Sequence, residues 1–146
     1  MLRNDILIIM AIDYGDVRTG VAVCDKFEML ASPVGLITQR KPELVIEEIK
    51  NYASQYKVEQ FVVGLPKNMD SSVGERAEKC IEFAQMLSNS TGIEAVMRDE
   101  RLSTVSAHNV LNNTNTRGKK RKNVVDQVAA VMILQDYIDY RKNSSV

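Results

Sequence analysis

Three acidic positions combine the residue type and the setting that metal-assisted chemistry needs: Asp13, the Asp99-Glu100 pair and Asp126. Each stands where an apolar element begins or ends. Asp13 closes the run Ile6-Leu7-Ile8-Ile9-Met10-Ala11-Ile12, and Asp99 and Glu100 follow Ala95-Val96-Met97-Arg98. Asp126 opens Val128-Ala129-Ala130-Val131-Met132-Ile133-Leu134. If these ends converge, their like charges repel, and a hard divalent cation with oxygen ligands relieves the repulsion. Two such ions held about 3.5–4 Å apart stabilise both the attacking and the leaving oxygen of a phosphodiester. Nuclease chemistry is therefore the sharpest expectation.

Taken singly, each position also has a plainer reading. Asp13 beside Gly15 suits a turn. Asn123 is a good helix N-cap, with Asp126 three positions later in the favourable first turn. Alternation along a strand sends Asp99 and Glu100 to opposite faces, so one of the two reaches a shared metal and the other is a solvated strand end. The three sites together, in separate elements, shift the balance towards a metal centre.

Phosphate-holding features accompany the carboxylates. The turn Tyr14-Gly15-Asp16-Val17-Arg18-Thr19-Gly20 carries glycines at both ends, where backbone donors can approach a phosphate closely. Arg117, Lys119, Lys120, Arg121 and Lys122 form a strongly basic loop just before Asp126, able to neutralise several phosphates or simply to remain solvated. His108 is the single histidine and sits in a short amphipathic stretch, a structural position more than a general base. Cys24 and Cys80 lie far apart without a CxxC spacing, so they read as reduced thiols of a cytoplasmic protein. Zinc is disfavoured by this ligand set, and magnesium or manganese is favoured.

The elements that must position these groups follow from the hydrophobic pattern. The chain has 146 residues, 45% hydrophobic and 26% charged, with zero formal net charge. One domain over 1–140 with a disordered tail at 141–146 is expected, and any nucleic-acid affinity must come from a local patch. The first apolar run is too short for a membrane span or a signal peptide. That run has the β-branched content of a strand buried on both faces, and Val21-Ala22-Val23-Cys24 completes a hairpin with it. A third strand over Met29 to Leu36 contains Pro33, which marks an edge. Helices are expected from Pro42, with Leu44, Val45, Ile49, Tyr52, Ala53 and Tyr56 on one face, and from about Gly74 to Ser88, with Ala77, Ile81, Ala84 and Leu87 inward. Strands at Gln60–Gly64 and Glu94–Arg98 and a last helix over Val124–Tyr140 complete the order βββαβαβα, with a short helix at Ser103–Leu111 ahead of the last one. That order implies a mixed five-stranded sheet, its first three strands antiparallel, flanked by helices.

Three segments and a closing one carry a resemblance. Ile12-Asp13-Tyr14-Gly15-Asp16-Val17-Arg18-Thr19-Gly20-Val21-Ala22-Val23, Val63-Gly64-Leu65-Pro66-Lys67-Asn68-Met69-Asp70 and Asp99-Glu100-Arg101-Leu102-Ser103-Thr104 resemble the signatures of the YqgF (RuvX-like) family. Val125-Asp126-Gln127-Val128-Ala129-Ala130-Val131 is similar to its closing helix. These are RNase H-like bacterial proteins described as Holliday junction resolvases or as nucleases of pre-16S rRNA. The resemblance covers almost the whole chain and implies an RNase H-like fold, a cytoplasmic location and phosphodiester hydrolysis with two Mg2+ or Mn2+ ions. It gives Asp13, Glu100 and Asp126 the catalytic metal-ligand roles, with Asp99 as the substitute for Glu100. Arg18, Arg101, Arg117, Lys119, Lys120, Arg121 and Lys122 then hold the phosphate backbone, and Asn68 and Ser103 make polar contacts to sugar or phosphate. Ser71-Ser72 departs from the Gly-Thr typical of the family, which bears on the shape of the substrate loop.

The substrate expected first is precursor rRNA, at the 5' end of pre-16S rRNA, and branched DNA comes second. A junction resolvase ordinarily works as a dimer, so monomer and homodimer both stay open. A nucleic-acid-binding factor in transcription or ribosome assembly, folded alike but without turnover, is the non-enzymatic alternative. A sugar-kinase or actin-like ATPase fails on length, because that class needs two such domains around one nucleotide.

Overall fold

A computed structural model describes residues 6–66, 73–99 and 118–143, the backbone alone for 118–127. Its strands are β1 (Ile9–Asp13), β2 (Arg18–Cys24), β3 (Ala31–Thr38), β4 (Gln60–Leu65) and β5 (Ala95–Asp99). Its helices are α1 (Pro42–Tyr56), α2 (Glu75–Thr91) and α3 (Gly118–Asn143). The strands form one sheet in the order β3-β2-β1-β4-β5. β1 pairs antiparallel with β2, and β2 with β3, whereas β1, β4 and β5 run parallel. This is the expected RNase H-like arrangement of a mixed sheet with a meander of three strands.

The sheet separates two cores, and strand alternation divides β1 between them. Met10 and Ile12 join Val21, Val23, Phe61 and Val63 under α1 and α2. Ile9 and Ala11 join Ala22, Cys24 and Val62 under α3. Because the central strand is covered on both faces, it reads as a continuous apolar run. Parallel strands need crossovers, and α1 and α2 are those crossovers on one face. Pro42 starts α1 at a position where a missing N–H costs nothing, and Gly92 ends α2 at φ 73, with its N–H donating to Ser88 O at 2.8 Å.

Pro33 does lie on an edge strand. Ala22 pairs with Pro33 and Val21 with Gly35, so the register slips by one residue where proline lacks a donor. β3 starts at Ala31 and not at Met29. The Asp25 carboxylate takes the N–H groups of Met29 at 2.7 Å and Leu30 at 3.3 Å, which keeps residues 25–30 in a turn.

The inward helix faces differ in detail from the expected ones. In α1 Ile46 is buried with Val45, Ile49 and Ala53, while Leu44 is 45% exposed. In α2 Cys80 and Phe83 are buried beside Ala77, Ala84 and Leu87, and Ile81 is only half-buried. Small rotations of each helix onto the sheet decide this.

The largest correction concerns the last helix. It begins at Gly118, six residues before the expected start at Val124, and runs to Asn143. Lys119, Lys120, Arg121 and Lys122 are therefore helical, not a loop, and Asn123 is an interior residue, not the N-cap. Asp126 falls in the third turn and not the first. Near the end of the helix, Arg141 donates from Nε at 3.0 Å and Nη2 at 3.1 Å to the carboxylate of buried Glu28. The expected helix at Ser103–Leu111 lies outside the described residues.

Candidate active site

β1, β4 and β5 point the same way, so their last residues Asp13, Leu65 and Asp99 collect at one edge of the sheet. In α/β sheets, ligand sites gather at this carboxyl edge. Asp13 pairs with Gly20 of β2, which fixes its backbone in the ladder. It follows Ile9 and Ala11 at the period of two, which sets it on the face covered by α3.

The two acidic residues at the edge do not share a face. Ala95 and Met97 pack towards α1 and α2, whereas Val96 packs towards α3. Arg98 follows Val96 onto that second face, and its Nε donates to Asp136 of α3 at 2.7 Å, with the guanidinium 4.5 Å from the Tyr140 ring centre. Asp99 thus belongs to the α1/α2 face, opposite Asp13. Glu100 lies outside the described residues. Asp126 belongs to α3, but only its backbone is described. Among the described residues no group of three His, Cys, Asp or Glu side chains gathers as a metal cluster, and the side chains of Glu100 and Asp126 are not among those described.

The turn after Asp13 is braced from a direction that sequence reading missed. Tyr14 stacks on Phe83 of α2, ring centres 4.0 Å apart and 11° from parallel. The guanidinium of Arg76, the second residue of α2, lies over the Tyr14 ring, 5.2 Å from its centre. Its Nη2 donates to the Tyr14 carbonyl, and its Nη1 donates to Asp16 Oδ1 at 2.7 Å. Burial pushes the Tyr14 hydroxyl pKa up, outweighing the nearby Arg76 charge that lowers it. Gly15 is required here, because a Cβ would stand 2.1 Å from the Arg18 carbonyl oxygen. The one local signal for Arg76 is its position, two residues past Gly74 and just beyond the Asn68–Ser72 segment.

The other expected contacts divide as follows. Arg18 opens β2 opposite Thr38 and is half-buried at the same edge as Asp13. Lys119, Lys120, Arg121 and Lys122 occupy the first turns of α3. Asn68, Arg101, Ser103 and Arg117 lie outside the described residues. Cys24 is a buried thiol, its pKa raised by burial; its Sγ accepts Ile9 N–H at 3.1 Å and donates to Leu7 O at 3.4 Å. No described helix is long and apolar enough to cross a membrane.

Residues 7–140 match the family model RuvX, described as Holliday junction resolvase. The chain belongs to the RuvX family. A relative from Halothermothrix orenii, named "Putative pre-16S rRNA nuclease", is 47% identical over 133 residues, covering 91% of this chain and 95% of its own. One of the same name from Clostridioides difficile is 42% identical over 136 residues, covering 93% and 96%. The fold of this RuvX member is shared with Thermus thermophilus RuvC, solved in complex with a Holliday junction substrate. The TM-score is 0.61 at 10% identity, over 95% of this chain and 98% of that one. Fowlpox virus Holliday junction resolvase is similar at a TM-score of 0.53 and 11% identity, over 92% and 99%. This RuvX chain is a nuclease, a hydrolase of phosphodiester bonds that binds nucleic acid.

Proposed function

We propose that this chain processes precursor 16S rRNA in the bacterial cytoplasm, using Asp13, Glu100 and Asp126 to hold Mg2+ or Mn2+. The observation that carries this reading is Asp13 at the carboxyl edge of the central strand, on the face that α3 covers. Asp99 faces the other way, so the strand period continued by one residue favours Glu100 as the ligand from β5. For Asp126 the support is length. Tyr137 donates its hydroxyl to Gln60 Oε1, at the first residue of β4, at 2.9 Å. Eleven residues back along a helix is about 16 Å, close to the rise of roughly 16 Å from Gln60 to Leu65 along the strand. Asp126 also stands four and seven positions before buried Ala130 and Ile133, the spacing of one helical face.

An all-carboxylate donor set fits a hard divalent cation and not a soft one. Held by these carboxylates, such an ion would supply Lewis acidity and charge neutralisation at the phosphate. The chain's own part is to hold the carboxylates at fixed strand and helix positions and to grip the phosphate backbone with Arg18, Arg101, Arg117 and the basic start of α3. Asn68 and Ser103 add neutral donors.

The choice of RNA rests on the names of relatives 40–47% identical to this chain. The family's description supports a second reading, resolution of Holliday junctions. One experiment separates them: labelled pre-16S rRNA and a four-way DNA junction, each incubated with Mg2+ or Mn2+, wild type beside Asp13→Asn. Cleavage of the RNA alone, lost with chelator and reduced by orders of magnitude in Asp13→Asn, is expected. Cleavage of the junction alone selects the second reading, and full activity of Asp13→Asn rejects the site.

A further inference from the structure

We infer that Arg76 is a positioning residue for the catalytic edge: it clamps the residue after Asp13 and so fixes the direction of the Asp13 carboxylate. The inference rests on the proposed role of Asp13. Three contacts converge on the turn Tyr14-Gly15-Asp16. The Arg76 guanidinium donates to the carbonyl of Tyr14, lies over the Tyr14 ring, and reaches Asp16 beyond it. Tyr14 meets both that guanidinium and the Phe83 ring, two side chains of α2. On its other side Asp13 is held by the ladder to Gly20. The backbone on both sides of the carboxylate is thus fixed, once by the sheet and once by Arg76.

The parts of the clamp are not equivalent. The Asp16 carboxylate is 69% exposed, so its ion pair with Arg76 is a weak surface contact. The contacts to Tyr14 are the ones that matter, because Tyr14 is the residue bonded to Asp13 and its carbonyl fixes the peptide plane that follows. Arginine suits this task because a planar guanidinium can stack on a ring and donate from its edge at once, which a lysine ammonium cannot.

The rival role for Arg76 is a direct phosphate contact, with Asp16 as its partner in the free protein. The two roles differ in what they move. A positioning residue changes metal affinity and kcat in the absence of any change in charge contacts to the nucleic acid. A phosphate contact changes substrate affinity and its salt dependence.

The test compares Arg76→Ala, Arg76→Lys, Asp16→Ala and Asp13→Asn with wild type. Mn2+ affinity is measured on the protein without substrate by calorimetry or electron paramagnetic resonance, beside kcat, KM, the salt slope of binding and Tm. Arg76→Ala is expected to weaken Mn2+ binding about tenfold, the lower range for residues supporting a metal ligand, and to reduce kcat with the salt slope unchanged. Arg76→Lys should recover little, and Asp16→Ala should stay near wild type. Unchanged Mn2+ affinity in Arg76→Ala overturns the inference. So does a log-log salt slope shallower by about 0.7–0.9, the signature of one lost phosphate contact. If Asp13→Asn itself binds Mn2+ normally, it is the metal-site reading that fails.

Discussion

Cutting the chain after Tyr140 removes six residues that look dispensable in sequence, yet the fold depends on one of them. Glu28 is 3% exposed in its side chain and Arg141 14%, and the guanidinium meets the carboxylate through two bonds of 3.0 and 3.1 Å. Leu7 N–H adds a bond of 2.9 Å to the same carboxylate. The Arg141 pKa is raised, since the Glu28 hydrogen bond and charge outweigh the burial that would lower it. Removing one partner of a buried pair leaves an uncompensated charge and costs about 3–5 kcal/mol. In a chain of this length each kcal/mol lowers Tm by about 2–4 °C, so the loss should be roughly 6–20 °C.

Thermal unfolding followed by circular dichroism measures it, on the 1–140 truncation and on Arg141→Met in the full chain. The two should fall together. Glu28→Gln combined with Arg141→Met should recover most of the loss, because the charge is gone from both sides. A truncation that melts within about 2 °C of wild type, a shift worth about 1 kcal/mol or less, would refute the reasoning. It would return residues 141–143 to the status of a frayed end.

Three more outcomes follow from the same geometry. Asp99 and Asp13 lie on opposite faces of the sheet, so Glu100→Gln should abolish cleavage while Asp99→Asn retains most of it; the reverse in a cleavage assay moves the site to Asp99. Replacing Lys119, Lys120, Arg121 and Lys122 with Ala should flatten the salt dependence of binding by about one or two contacts at 0.7–0.9 each, not four. In a helix only positions 119 and 122 of this set share a face, and an unchanged slope would leave the segment solvated and without a role. Asp25 has its pKa held below 3.8, chiefly by the Met29 N–H bond. A depressed carboxylate stabilises the fold above its unfolded pKa and loses that contribution as pH falls through the folded value. Asp25→Ala should therefore lower urea stability at pH 7 and progressively less below pH 3.8; an equal loss at both contradicts the assignment.

Local signals carried the element order, the edge position of Pro33, the strand that ends on Asp13 and the segments that resemble the RuvX family. Each depends on period, turn chemistry or a short motif, and these are properties of neighbouring residues. The sequence also raised the question of Asp99 against Glu100, because alternation is local. Which face looks towards α3 is not, since it depends on how Val96 and Arg98 meet a helix nearly 40 positions later. The start of α3 was misplaced for a related reason: Gly118 and the four cations after it have the composition of a loop, and local propensity is a weak prior against a continuing helix. Arg76 reaches Tyr14 across 62 positions and Arg141 reaches Glu28 across 113. No spacing rule connects residues so far apart. Only the packing of α2 and α3 on opposite faces of one sheet brings them together, and that packing decides how the carboxyl edge is braced.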